Sequence, residues 1–338
     1  MDVRDDAVLI EEYRGALLEN VHCGHVCVVG ESGSVAFYVG NPEHVTYMRS
    51  SAKPMQAIAF FALGLDDKYD LNDQERTILA GSHQGAPYHI EALESIARKM
   101  RIDEDALVLL PTYPACQVYR DAAVAQSLPP RKFYHNCAGK HLATIAMARE
   151  FGQSEDTYYQ TGTPVQNYLL DRIAQITGCS RERIVVGVDG CGVPVYGMPL
   201  SDMARGFLHM ANPQMLENSV LREKTAVLAR LMHENSRYIN KEDYICTCMN
   251  EDPNILAKGG AQGVYCFAIK DRKQAVAFKI SDGSEEEWQL VVWSVLEQLG
   301  CGGSIAARRM LDLRPFEIVN ATGCAVGRYQ PVFELAGA

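Results

Sequence analysis

Ser50 and Lys53 stand three positions apart in Arg49-Ser50-Ser51-Ala52-Lys53-Pro54-Met55-Gln56, where a strand-like run gives way to a helical one. A neutral lysine amine can take the proton of a serine hydroxyl, so Ser-x-x-Lys makes serine a nucleophile without histidine. Short motifs of this kind also arise by chance, so the rest of the chain has to support it. Ser51 offers a competing reading. As a helix cap it would place Pro54 at the third helical position, where no N–H partner is needed.

Three more polar clusters fall at element boundaries, where scaffolds tend to display functional groups. The first is Ser82-His83, inside the glycine-bracketed loop Gly81–Gly85. The second joins Cys137, Lys140 and His141 to Asp189 and Cys191. Cys137 and Lys140 open a helix, whose dipole and free N–H groups favour a thiolate. Cys191 follows the run Ile184–Val188, so the two thiols can meet in space. Two thiolates, one nitrogen ligand and a water would fill a tetrahedral zinc site. Lysine must first lose a proton with a reference pKa of about 10.4, so His135 and His141 are the more conventional donors. The bland reading is a set of small buried cysteines. The third cluster, Lys258-Gly259-Gly260, reads as a turn before a strand. It also resembles the Lys-Thr-Gly box of the β-lactamase group, whose lysine sits on a strand lining the site.

The elements that must position these groups follow from periodicity. Val26–Val29 and Val35–Val39 are β-rich runs joined through Glu31-Ser32-Gly33, a hairpin signal. Met55–Leu63 is an apolar helix stopped by Gly64, and Asn72 with Glu75 resembles a capping arrangement for a second helix. Ile90, Leu93, Ile96, Ala97 and Met100 have helical spacing. Residues 111–135 hold four prolines and read as a long loop. Helices follow at Leu142–Phe151, Pro164–Ile176, Leu200–Met210 and Met215–Tyr238, with Ile184–Val188 as a buried strand among them. Gly263–Ile269 and Ala275–Ile280 form a second hairpin, then a helix at Glu285–Leu299 and a strand at Phe316–Asn320. The fold class is α+β: an antiparallel sheet from both termini with a central helical insertion. The chain reads as one catalytic module, with a sheet lobe from about 1–50 and 245–338 and a helix-rich lobe at about 51–244.

Composition narrows the function. The 338 residues are 47% hydrophobic, enough for a large core. A net charge of −10 argues against nucleic acid and anionic membranes as partners. No run of eighteen apolar residues occurs, and the acidic start Met1–Asp6 lacks the form of a signal peptide. Eleven cysteines, an odd number, suggest mostly reduced thiols. The expectation is a soluble cytoplasmic globular protein. No phosphate-cradling glycine loop is present, so nucleotide chemistry has no support.

In chain order, Arg14-Gly15, Glu19, His22, Arg49-Ser50-x-x-Lys53-Pro54-x-Gln56, Ser82-His83-x-Gly85 and Asn136-Cys137-x-Gly139-Lys140-His141 form one ordered set. Asp189-Gly190-Cys191-Gly192-x-Pro194 and Lys258-Gly-Gly-Ala-x-Gly263 complete it. Together they resemble the class 3 (Rhizobium etli-type) L-asparaginases over nearly the whole chain. The resemblance implies a fold similar to serine β-lactamases and glutaminases. It implies hydrolysis of L-asparagine to aspartate and ammonia by two Ser–Lys pairs, Ser50/Lys53 and Ser82/Lys258. It puts Arg49, His83 and Asp189 near the substrate. It assigns zinc to Cys137, Lys140 and Cys191 rather than to the histidines, beside the active site and helping substrate handling. It also implies a homodimer.

The chain departs from the family pattern at four places. Ala138 replaces a serine, Gln262 a glutamate, Thr163 the histidine of His-Pro, and Ala86 a glutamate. The lost acidic groups bear on substrate choice. Alternatives are a glutaminase or another serine amidase of the β-lactamase-like group, a zinc-dependent hydrolase, and a non-catalytic zinc- or ligand-binding homologue.

Overall fold

The structure, a computed structural model, describes residues 6–338; the rest of the acidic N-terminal stretch lies outside the described residues. The described residues divide into two units, one of residues 6–51, 198–211 and 243–338, the other of 52–197 and 212–242.

The first unit is built on an antiparallel sheet whose strands come from both ends of the chain. Its main path runs Glu317–Val319, Ala325–Pro331, Ala7–Arg14, Leu17–Val29, Gln274–Ile280, Val264–Ile269, Ile255–Ala261. Val35–Val39 pairs with the second half of Leu17–Val29, and Ala336–Gly337 pairs with it in turn. Val264–Ile269 is buried at every residue, which explains why Val-Tyr-Cys-Phe-Ala-Ile shows no alternation. Leu17–Val29 instead passes from an exposed first half to a buried second half. The helix Leu200–Ala211 packs on the central strands, and Trp288–Gln298 on Ala7–Arg14 and Ala325–Pro331.

The second unit is helical. Its axis is Lys53–Ala62, buried from Lys53 to Phe61 and packed against Ala138–Glu150, Pro164–Thr177 and Ser219–Glu234. Ala138–Glu150 is likewise buried from Ala138 to Ala148. A helix apolar on every face belongs inside a core. Both of these begin with a buried lysine in the first turn.

Several elements differ from the sequence expectations. The Pro111–His135 segment contains the helix Gln117–Ala125, which buries only Ala123. Its weak apolar stripe is why periodicity missed it. Val185–Val188 is a strand but an exposed one, with Val188 at 69% exposure. Ser51 does not cap the helix: Ala52 holds that position and Pro54 falls within the first two helical residues. Ser51 Oγ instead donates to Met48 O at 2.7 Å. The helix Leu200–Ala211 belongs to the sheet unit, because its buried face meets the sheet strands. Ile305–Leu313 and Ala325–Pro331 were not foreseen. No helix among the described residues is long and apolar enough to cross a membrane.

Candidate active site

In the helical unit, Lys53 is 1% exposed at the first position of its helix. Its Nζ donates to Ser82 Oγ at 2.9 Å and to the carbonyl oxygen of Asn136 at 2.9 Å. Burial lowers its pKa, the neighbouring Lys140 charge pushes the same way, and the Cys137 and Cys191 sulfurs oppose both. An amine so placed sheds its proton more easily than free lysine.

Ser82 sits in a loop held by close backbone approach. Ser82 N donates to Ile239 O at 2.7 Å, and a Cβ at Gly81 would come within 2.4 Å of the Tyr238 carbonyl oxygen. His83 is fully buried, and its Nδ1 accepts from Gly85 N at 3.2 Å. Burial, reinforced by His89 and Lys53, holds it well below the usual histidine range. His89 Nε2 faces the carbonyls of Arg237 and Asn240 at 2.9 and 3.1 Å, and burial pushes its pKa down to about 4.

The helix Ala138–Glu150 begins immediately after Cys137, and a Cβ at Gly139 would lie 2.8 Å from Ile78 O. That close packing brings Lys140 inward. Lys140 Nζ donates to Cys191 Sγ at 3.0 Å, and the Cys191 thiol hydrogen-bonds Cys137. This thiol contact, against the cost of burial, holds Cys137 well below the ordinary thiol range and pushes Cys191 up, so one proton is shared. Burial disfavours the Lys140 charge, but the two sulfurs and Asp189 override it and its pKa is raised. Two thiols and one amine converge here. Tetrahedral zinc would space nitrogen and sulfur by about 3.5 Å, given bonds of about 2.0 and 2.3 Å, so the 3.0 Å contact needs only a small opening. The donor set therefore fits zinc, provided the shared protons leave.

His141, one residue on, faces away from that role. Its Nδ1 meets Tyr158 OH at 2.6 Å, while Tyr158 OH accepts from Val108 N at 2.9 Å. His135 Nδ1 accepts from Cys137 N at 3.1 Å. Asp189 shapes its turn through Gly190 N to Oδ1 at 2.8 Å, with Gly192 at φ +88°.

In the sheet unit, Ser50 lies in the 3-10 turn Arg49–Ala52, and Arg49 adopts φ +52°, uncommon for a residue with a Cβ. Lys258 is 1% exposed on the strand Ile255–Ala261, with Nζ donating to Gly259 O at 2.9 Å. The glycines after it answer to crowding. A Cβ at 259 would lie 2.9 Å from the Trp288 ring, and one at 260 would lie 2.6 Å from Met48 O. Met48 O also accepts from Ser51 N, so the strand bearing Lys258 passes beside the turn bearing Ser50. Asn136, Tyr158 and His89 were assigned no role from sequence; only Asn136, beside Cys137, carried a signal.

The family model for L-asparaginase II matches residues 10–331. The chain belongs to the L-asparaginase II family. It is a hydrolase acting on amides, with a small-molecule substrate. No curated protein matches the chain. Among solved structures it is similar to a Mycobacterium bovis β-lactamase, at 14% identity over 81% of this chain and 94% of that one, with a TM-score of 0.44. It is also similar to a Bacillus glutaminase, at 11% identity over 82% and 91%, with a TM-score of 0.40. Three of the four departures fall at helix starts: Ala86 and Thr163 are helix caps, and Ala138 is a first helical residue. Gln262 lies in the hairpin turn after Lys258, at φ +54°.

Proposed function

We propose that the chain hydrolyses the side-chain amide of L-asparagine to L-aspartate and ammonia through a serine acyl-enzyme. The observation that carries this reading is the buried Lys53 amine, 2.9 Å from Ser82 Oγ and with a lowered pKa. Ser50 is the nucleophile that the family motif assigns, with Lys53 as its base. Ser82 and Lys258 then pass a proton to the departing ammonia, and water hydrolyses the β-aspartyl ester. Backbone N–H groups, that of Ser50 included, stabilise the oxyanion. Arg49, His83 and Asp189 hold the substrate.

A second reading draws on the same hydrogen bond: Ser82, already bonded to Lys53, is the nucleophile. Ammonia release from L-asparagine by wild type, Ser50→Ala and Ser82→Ala decides between them, with intact-mass detection of the acyl adduct after rapid acid quench. A Ser50→Ala protein as active as wild type removes Ser50 from the role. L-Glutamine run in parallel tests the glutaminase alternative.

Cys137, Lys140 and Cys191 are the proposed zinc ligands. A bound zinc would supply positive charge for holding the substrate, while these side chains give up their protons to it. The protein is further proposed to be a cytoplasmic homodimer, which analytical ultracentrifugation tests for the dimer.

A further inference from the structure

Residues between Thr112 and Asn136 line an open pocket of about 470 Å³, among them Tyr113, Arg120, Tyr134, His135 and Asn136. No aspartate or glutamate among the described residues lines it, in a chain of net charge −10. The Arg120 guanidinium makes no hydrogen bond or ion pair with another described residue; only its backbone N–H is bonded, to Cys116 O at 3.0 Å. His135 Nδ1 accepts from Cys137 N, which leaves Nε2 as the ring's donor. The lining is therefore rich in donors and carries one uncompensated cation.

The pocket is joined to the reacting groups on two sides. Asn136, at one wall, accepts the Lys53 Nζ proton through its carbonyl oxygen at 2.9 Å. Another part of the lining, at Pro114, is tied to the Ser82 loop. Cys116 N donates to Gln84 O at 3.4 Å, and Pro114 packs so closely on Gly85 that a Cβ there would lie 2.7 Å away. Both hydrogen-bond partners of Lys53 thus belong to segments that hold this pocket in place.

We propose that the pocket is a carboxylate-binding subsite for the amide substrate, with Arg120 as its specificity-determining cation. This rests on the amidase reading. The guanidinium fork matches a carboxylate in two parallel N–H bonds. The carboxylate has two sources: the α-carboxylate of asparagine itself, or that of an amino acid on the leaving nitrogen, as in a β-aspartyl dipeptide. In the dipeptide the same acyl C–N bond breaks. Water gives its hydroxyl to the acyl carbon and a proton to the departing amine.

The experiment measures kcat and KM for L-asparagine and for β-aspartylglycine with wild type, Arg120→Ala and Arg120→Lys. A charged hydrogen bond of this kind predicts a KM raised about 10- to 100-fold in Arg120→Ala, with kcat little changed and partial rescue by lysine. A rise for L-asparagine identifies the α-carboxylate, and a rise for β-aspartylglycine alone identifies the leaving side. Unchanged constants for every substrate turned over overturn the proposal. Wild type that turns over neither substrate sinks the amidase reading, and calorimetric binding of β-aspartylglycine then decides the subsite. Weaker binding to Arg120→Ala upholds it. Equal affinity, or no binding to wild type, overturns it.

Discussion

Lys53 and Lys140 are the same residue type in the same kind of place, and they hold their protons in opposite ways. Each opens a helix buried on all faces, at 1% and 6% exposure, where the helix dipole gives a cation no support. Burial alone lowers both. Lys53 Nζ meets an uncharged hydroxyl and carbonyl, and the nearby Cys137 and Cys191 sulfurs do not outweigh burial and the Lys140 charge, so its pKa stays down. Lys140 Nζ meets the Cys191 sulfur, with the Cys137 sulfur and Asp189 nearby, and its pKa goes up. What surrounds the amine, more than the residue type or its depth, sets how readily it gives up its proton.

The largest test of this contrast is substitution. Lys53→Met should lower kcat for amide hydrolysis by about 10³-fold or more, the scale of a lost general base. Lys140→Met should instead lower bound zinc per chain, read by elemental analysis. A Lys140→Met protein that keeps its zinc while losing as much kcat as Lys53→Met would break the comparison. Next in size, Cys191→Ala should weaken zinc by at least about 10-fold, since it removes a thiolate donor. Competition with a chelator reads that change.

Histidines extend the contrast to stability. His89 is buried and neutral, with a pKa of about 4 against an ordinary 6.5. Its folded value lies below its unfolded one, so its contribution is full above pH 6.5 and is lost as pH falls toward 4. The loss between pH 7 and 5 is about 2 kcal/mol. Urea unfolding at the two pH values measures it, and His89→Gln should flatten the dependence. His22 in the sheet unit has the opposite sign. Burial disfavours its charge, but Glu287, Glu12 and Asp282 override that and raise its pKa. Its contribution is therefore full below pH 6.5 and fades as pH rises through the folded value. His22→Gln should cost more stability at pH 6 than at pH 8.

The smallest effect separates adjacent serines. Ser51→Ala loses a buried hydrogen bond worth about 1 kcal/mol and should leave kcat/KM close to wild type. A large activity loss at Ser51 would reopen its claim to be the nucleophile.

Local signals read well from sequence because their partners are neighbours in the chain. Asn72 and Glu75 form the reciprocal cap their spacing suggests, at 2.9 and 2.8 Å. The pairing of Val35–Val39 with Leu17–Val29 and of Val264–Ile269 with Gln274–Ile280 follows the turn residues between them. Lys258 was open between a turn and a strand, and the strand is what the crowding around Gly259 and Gly260 requires. The exposed helix Gln117–Ala125 was not legible, since an element that buries one residue leaves almost no periodic trace.

By itself, then, the sequence determined the strongly periodic helices, the two hairpins and the two-ended sheet, though not the helices Gln117–Ala125 and Ile305–Leu313 or the strand Ala325–Pro331. Hydrophobic period, capping pairs and turn residues are properties of adjacent positions. Only the tertiary structure decided which of those residues meet. Spacing alone offered Ser50 to Lys53, whereas packing gives its amine Ser82, 29 positions away, and the carbonyl of Asn136, 83 away. It also decided the proton affinities, because burial and the charge of a facing group exist only once the chain has folded around them.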